Sequence, residues 1–213
     1  MIKAFDYKYI FIININRREE KNTMYPEIVK INVDSEIDNF KKNIYRILRC
    51  FNDIEAEAQE KKKSYLDKRS KAFDPDLDDD ALIEEGAYFA EINHISTEKL
   101  LKENFLNSSA ITIFHTFEKQ KKIVLGSDKT NILKPKLAKN GHVLDSCKDW
   151  LILNKELRQI ANAIKHGLDS KSGLQVKKNF PNLIKNGNIA LTESDVDGYI
   201  EAWKNFWSKT LGS

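Results

Sequence analysis

Arg158, Asn162 and His166 recur at four-residue steps late in the chain, and Gly167 follows directly. On a helix each step of four turns by about 40°, so the three side chains form one row along a single face. Trp150, Leu153, Leu157, Ile160, Ala161 and Ile164 fall within an arc of about 100° on the other side, the face a core would take. Lys155 lies beside the row and Lys165 adjoins its end. A guanidinium, a carboxamide and an imidazole so arranged suit in-line cleavage of an RNA phosphodiester. In that reading His166 moves a proton, Arg158 holds the phosphate, Asn162 positions ribose or imidazole, and Lys155 and Lys165 bind substrate. At a helix C-terminus, where the dipole favours a cation, His166 is predicted to protonate readily. The chemistry asks for no metal and no cofactor. A plain solvent-facing helix shows the same polar row, and a histidine before glycine also serves simply to cap the last carbonyls.

Glu118 is the second residue of interest. On the helical wheel it falls near Ile111, Phe114 and Leu125, on a face that should be buried, where a carboxylate is costly unless paired. It either orients Arg158 or His166 from behind or pairs with Lys121 or Lys122 at the edge of the core. His115, nearly one turn earlier, fits either arrangement. His94 and His142 have no supporting context. The sequence lacks a glycine-rich phosphate loop, H-E-x-x-H, G-x-S-x-G and C-x-x-C. Adjacent carboxylates such as Glu84 and Glu85 diverge by about 100° on a helix, so no metal is assigned to them or to Asp78, Asp79 and Asp80. Cys50 and Cys147 stand far apart with no further Cys or His at ligand spacing, which argues against a disulfide framework and fits a reducing, cytoplasmic location.

The stretch Glu156-Leu157-Arg158-Gln159-Ile160-Ala161-Asn162-Ala163-Ile164-Lys165-His166-Gly167 resembles the signature helix of HEPN-type proteins, the higher eukaryote and prokaryote nucleotide-binding superfamily. That motif carries an Arg, a polar residue often Asn, three more residues and a His. Phe114-His115-Thr116-Phe117-Glu118-Lys119-Gln120 is similar to the aromatic, glutamate-bearing earlier helix of uncharacterised bacterial members. The closing segment from Asp195 to Trp207 is similar too, so the resemblance spans about Leu82 to Leu211. It implies a helical bundle that forms a homodimer through its motif helices, with two Arg/His sets in one cleft. It further implies RNA or another nucleotide ligand. In many members it implies a metal-independent endoribonuclease used as a toxin or in antiviral defence against phage, with an antitoxin or defence-system protein as partner. Asn162 and His166 map onto the Asn-x3-His part of the motif. The position before Asn, where the family has its catalytic Arg, is Ala161, and Arg158 lies three residues earlier, about 80° from His166 instead of about 140°. The rival reading is a non-catalytic helical interaction module that binds a partner protein through the same row and the charged stretch from Glu60 to Arg69.

Positioning such a row requires a bundle, and hydrophobic periodicity predicts a mainly α chain. Steps of three and four from Ile37 through Phe40, Ile44, Ile47, Phe51 and Ile54 to Ala58 predict one helix, with further helices over about 80–103, 107–125 and 146–165. Gly126 and Gly167 are the expected C-caps. Thr192 with Asp195 three residues on forms a capping box for a last helix that buries Val196, Tyr199, Ile200, Trp203, Phe206 and Trp207. The lysine-rich stretch between Gly126 and Gly141 reads as an exposed loop, and Leu168 to Ile189 as irregular. Tyr7–Ile15 and Ile28–Val33, rich in β-branched and aromatic residues, read as an antiparallel hairpin. The organisation expected is therefore an N-terminal hairpin over 1–35 and a helical HEPN-like domain over 36–213. A chain of 213 residues can bury a self-sufficient core. The run from Met1 to Ile15 is too short and too polar for a membrane span. Net charge is +3, but residues 107–190 hold fifteen Lys/Arg against six Asp/Glu. That half of the chain either meets polyanions or is a lysine-rich solvated surface.

Overall fold

The computed structural model describes residues 25–74 and 78–212, which are mainly α-helical. Helix α1 (Tyr25–Leu48) buries Val33, Ile37, Ile44 and Leu48 on one stripe. The strand expected at Ile28–Val33 is therefore helical. Val29 and Val33 lie one turn apart and continue the stripe toward Ile37, so burial of one helical face overrides their β preference. The other expected strand, Tyr7–Ile15, lies outside the described residues. Helix α1 also runs straight across residue 35, where the sequence places the division between hairpin and helical parts.

A 3-10 turn at Arg49–Phe51 separates α1 from α2 (Ile54–Ser70), so the stripe from Ile37 to Ala58 belongs to two helices and not one. Helix α3 (Asp80–Leu125) has 46 residues, a rod of about 70 Å. It replaces the two helices expected there. The Asp79 side chain accepts from the Ala81 N–H at 2.9 Å to start it, and Gly126 at φ 77° ends it. The expected loop after Gly126 is largely helix α4 (Thr130–Ala138), held by buried Leu133 and Leu137 one turn apart despite Pro135 inside it. Lys136 Nζ donates to the Leu125 carbonyl at 2.7 Å, satisfying one of the open acceptors at the end of α3.

The late helix is present, in three parts: α5 (Lys148–Leu151), a π-helical stretch Ile152–Leu157, and α6 (Arg158–His166), which Gly167 terminates at φ 85°. The segment expected to be irregular contains α7 (Lys171–Asn179) and a small antiparallel hairpin of β1 (Ile184–Lys185) and β2 (Asn188–Ile189). Gly173 in α7 packs so closely on the Leu168 backbone that any Cβ there would clash. Helix α8 (Glu193–Leu211) opens with the expected capping box, in which the Thr192 N–H donates to Asp195 Oδ2 at 2.8 Å.

The core lies where α1, α3, α5, α6 and α8 meet. Phe117 and Phe206 pack edge to face at 5.3 Å, with Trp150 and Trp207 against Phe206 at 5.5 Å and 5.1 Å. Trp150, Leu157, Trp203 and Phe206 are buried together as expected, whereas Ile164 is half-buried at the margin. Gln120 ties three helices inside this core: its Oε1 accepts from Trp203 Nε1 at 2.7 Å and its Nε2 donates to Glu36 at 2.8 Å. Helix α2 packs chiefly on the first half of α3, forming a two-helix arm. No helix among the described residues is long and apolar enough to cross a membrane.

Candidate functional site

Helix α6 is regular from Arg158 to His166, so the steps of four place Arg158, Asn162 and His166 on one face as the spacing predicts. Leu157, Ile160, Ala161 and Ala163 fill the opposite side and are buried. Arg158 and His166 are exposed, Asn162 is half-buried, and Lys155 and Lys165 are exposed. The row extends over about 12 Å of helix, longer than the rise of about 3.4 Å per phosphate along one strand of a duplex. Ala161 is fully buried. An arginine at that position would point into the core, so Arg158 is the guanidinium that α6 presents to solvent.

Helix α3 supplies a second set of groups beside α6. Lys165 Nζ contacts His115 Nε2, and His115 Nδ1 lies 3.7 Å from Glu118 Oε2. The two ring nitrogens of His115 face different partners, Nε2 the Lys165 amine and Nδ1 the Glu118 carboxylate. Glu118 is thus a partner of His115. Among the described residues no hydrogen bond or ion pair joins Glu118 to Arg158 or His166, nor to Lys121 or Lys122. Lys122 pairs instead with Asp128 at 2.9 Å.

Lys121, expected at the edge of the core as a partner for Glu118, lies instead inside the core. It is almost fully buried, with Nζ 4.9 Å from the Phe117 ring centre and 5.2 Å from that of Trp150. Its Nζ donates to Asn154 Oδ1 at 3.3 Å, and Asn154 Nδ2 donates to Thr130 Oγ1 at 3.2 Å. Burial pushes its ammonium down to about 8, with Arg158 adding to the fall and Glu118 opposing it. The signal was in the sequence: Phe114, Phe117, Lys121 and Leu125 step by three, four and four, which places a lysine in an apolar stripe. Asn154 lies in the π-helical stretch, a local widening that often marks functional sites. Glu156, in the same stretch, accepts from Tyr199 Oη at 2.9 Å, and burial holds its carboxyl above the usual range.

The face is open. Cavities of about 360 Å³, lined by His142, Cys147 and Lys209 among others, and about 400 Å³, lined by Lys99, Lys102, Lys185 and Thr192 among others, do not include Arg158, Asn162 or His166. An exposed basic row suits an extended polymer better than a small ligand. No protein-family model, curated protein or solved structure matches the chain.

Proposed function

We propose that the face shared by α6 and the middle of α3 binds RNA, or another ligand built of nucleotides, and that it cleaves RNA without a metal. The observation that carries this reading is the convergence of two imidazole-bearing sets on adjacent helices: Arg158, Asn162 and His166 on α6, and His115 with Glu118 reaching Lys165 from α3. In the cleavage step the ribose 2′-hydroxyl oxygen attacks the adjacent phosphorus while the bond to the 5′-oxygen breaks. His166 moves the proton, Arg158 and Lys165 hold the phosphate oxygens, and Lys155 extends the track for the flanking strand. Glu118 fixes the His115 ring. The biological setting that fits such an activity is a toxin or an antiviral defence protein. The exposed face of α6 carries Arg158, Lys165 and His166, with Lys155 in the π-helical stretch before it, and no large exposed apolar side chain, so two copies would meet there only across a polyanion.

One observation favours a second reading, in which the protein binds without cleaving. Ala161, at the position where the HEPN motif has arginine, is core, and Arg158 approaches the row from a different angle. Incubating the purified chain with total RNA in EDTA, beside His166→Ala and His115→Ala, separates the two. Cleavage by the wild type alone supports the nuclease, and retention of RNA with no cleavage by any of the three supports the binding module.

A further inference from the structure

The arm formed by α2 and the first half of α3 is thinly packed. Only Ile54, Ala58 and Ala87 are buried along it, and α3 buries nothing more until Leu106. On its opposite side the same stretch of α3 leaves large apolar groups in solvent: Leu82 is 64% exposed, Phe89 53% and Leu100 57%, with Ile92 at 37%. At 100° per residue Leu82, Glu85, Phe89, Ile92, Ser96 and Leu100 share an arc of about 80°, and Tyr88 lies about 40° beyond it, under Lys62 of α2. The face turned to α2 is a different one: Glu91 meets Lys62 at 3.0 Å and His94 meets Glu57 at 3.2 Å. Among the described residues the stripe is therefore an unpartnered helix face on the order of 500 Å², at the upper end of what a monomer exposes without using it.

We propose that this stripe is where two copies of the chain pair, antiparallel, through α3. The argument is self-complementarity. A two-fold axis near residues 90–92 sets Phe89 of one protomer against Ile92 of its partner, and Leu82 within one turn of Leu100. It also brings Glu85 within a turn of Lys99. A parallel pairing would oppose Glu85 to Glu85 and Lys99 to Lys99, which like charges disfavour. Among the described residues Lys99 makes only a long contact of 3.9 Å to Glu55, so it can reach across. The stripe, which includes Glu85, together with its rim of Asn93 and Lys99 approaches the roughly 800 Å² per partner of a stable interface. This pairing needs no RNA and leaves the α6 row open.

Sedimentation equilibrium of the full chain, nuclease-treated to remove RNA, tests it. The wild type should be a dimer at micromolar concentration, and Phe89→Asp should be a monomer with unchanged helical circular dichroism. Glu85→Lys should weaken the dimer at least tenfold, and the exchange Glu85→Lys with Lys99→Glu should restore most of it, a readout that survives if Phe89→Asp misfolds. His166→Ala and Arg158→Ala should leave the dimer intact, which separates this interface from any pairing through α6. A monomer at every concentration would overturn the proposal and leave the stripe to a different protein. A dimer indifferent to both Phe89→Asp and Glu85→Lys would overturn it as well.

Discussion

Lys121 shows most directly how one side chain links core and site. Its ammonium is held between Phe117 and Trp150 with a hydrogen bond to Asn154, and no carboxylate among the described residues is in contact with it. An unpaired buried charge costs stability, and the cost depends on pH. Below about 8 the lysine is protonated in the folded and unfolded chain alike, and the full penalty applies. Between about 8 and its ordinary 10.5 the folded state releases the proton first, so this residue's penalty shrinks as pH rises. Lys121→Met should therefore stabilise the protein by about 1–3 kcal/mol at pH 7, and the gain should fade by pH 10.5. Urea titrations of both proteins at pH 7, 8.5 and 10 check this. A gain that does not change with pH would show that packing, not charge, sets the difference. At the same scale the α6 row was legible because four-residue spacing and an apolar opposite face are properties of the sequence alone. The His115 and Lys165 contact was not, because it depends on which faces of α3 and α6 meet.

At the scale of elements, the continuous α3 is the instructive departure. Asn107, Ser108 and Ser109 look like a helix start, since such side chains compete for backbone groups. In the fold that competition is resolved elsewhere. Asn107 Nδ2 donates to the Ile189 carbonyl at 2.7 Å and its Oδ1 accepts from the Leu191 N–H, while Ser109 and Thr112 donate back to the carbonyls of Phe105 and Ser108. The partners of Asn107 lie more than eighty residues away, so no local reading could assign them. Asn107→Ala should leave both groups of the β2 connection buried and unpaired, costing about 1–3 kcal/mol, as measured by chemical denaturation. An unchanged midpoint would mean the hairpin is not anchored through this side chain. The expected strand at Ile28–Val33 makes the complementary point: β-branched content argued for a strand, and a helical stripe shared with Ile37 and Ile44 won. Ile37→Ala, at a fully buried position of α1, should cost about 2–5 kcal/mol in the same assay, a loss too large for a peripheral segment.

At the scale of the whole molecule, charge and shape divide the labour. The excess of positive charge between residues 107 and 190 includes the α6 row, while the arm carries an apolar stripe. Binding to single-stranded RNA should weaken as salt rises, with a log–log slope of about −3 if four cationic contacts form. Arg158→Ala and Lys165→Ala should each flatten that slope by somewhat less than one unit. A slope that neither change moves would place the RNA elsewhere on the basic half. The metal-independent RNA cleavage proposed for the α6 and α3 face is read in a single-turnover assay on a labelled RNA in excess EDTA. The wild type should cleave, His166→Ala should lose at least a hundredfold with an unchanged denaturation midpoint, and Arg158→Lys should lose less. Cleavage by His166→Ala at the wild-type rate, or none by the wild type, would contradict that proposal.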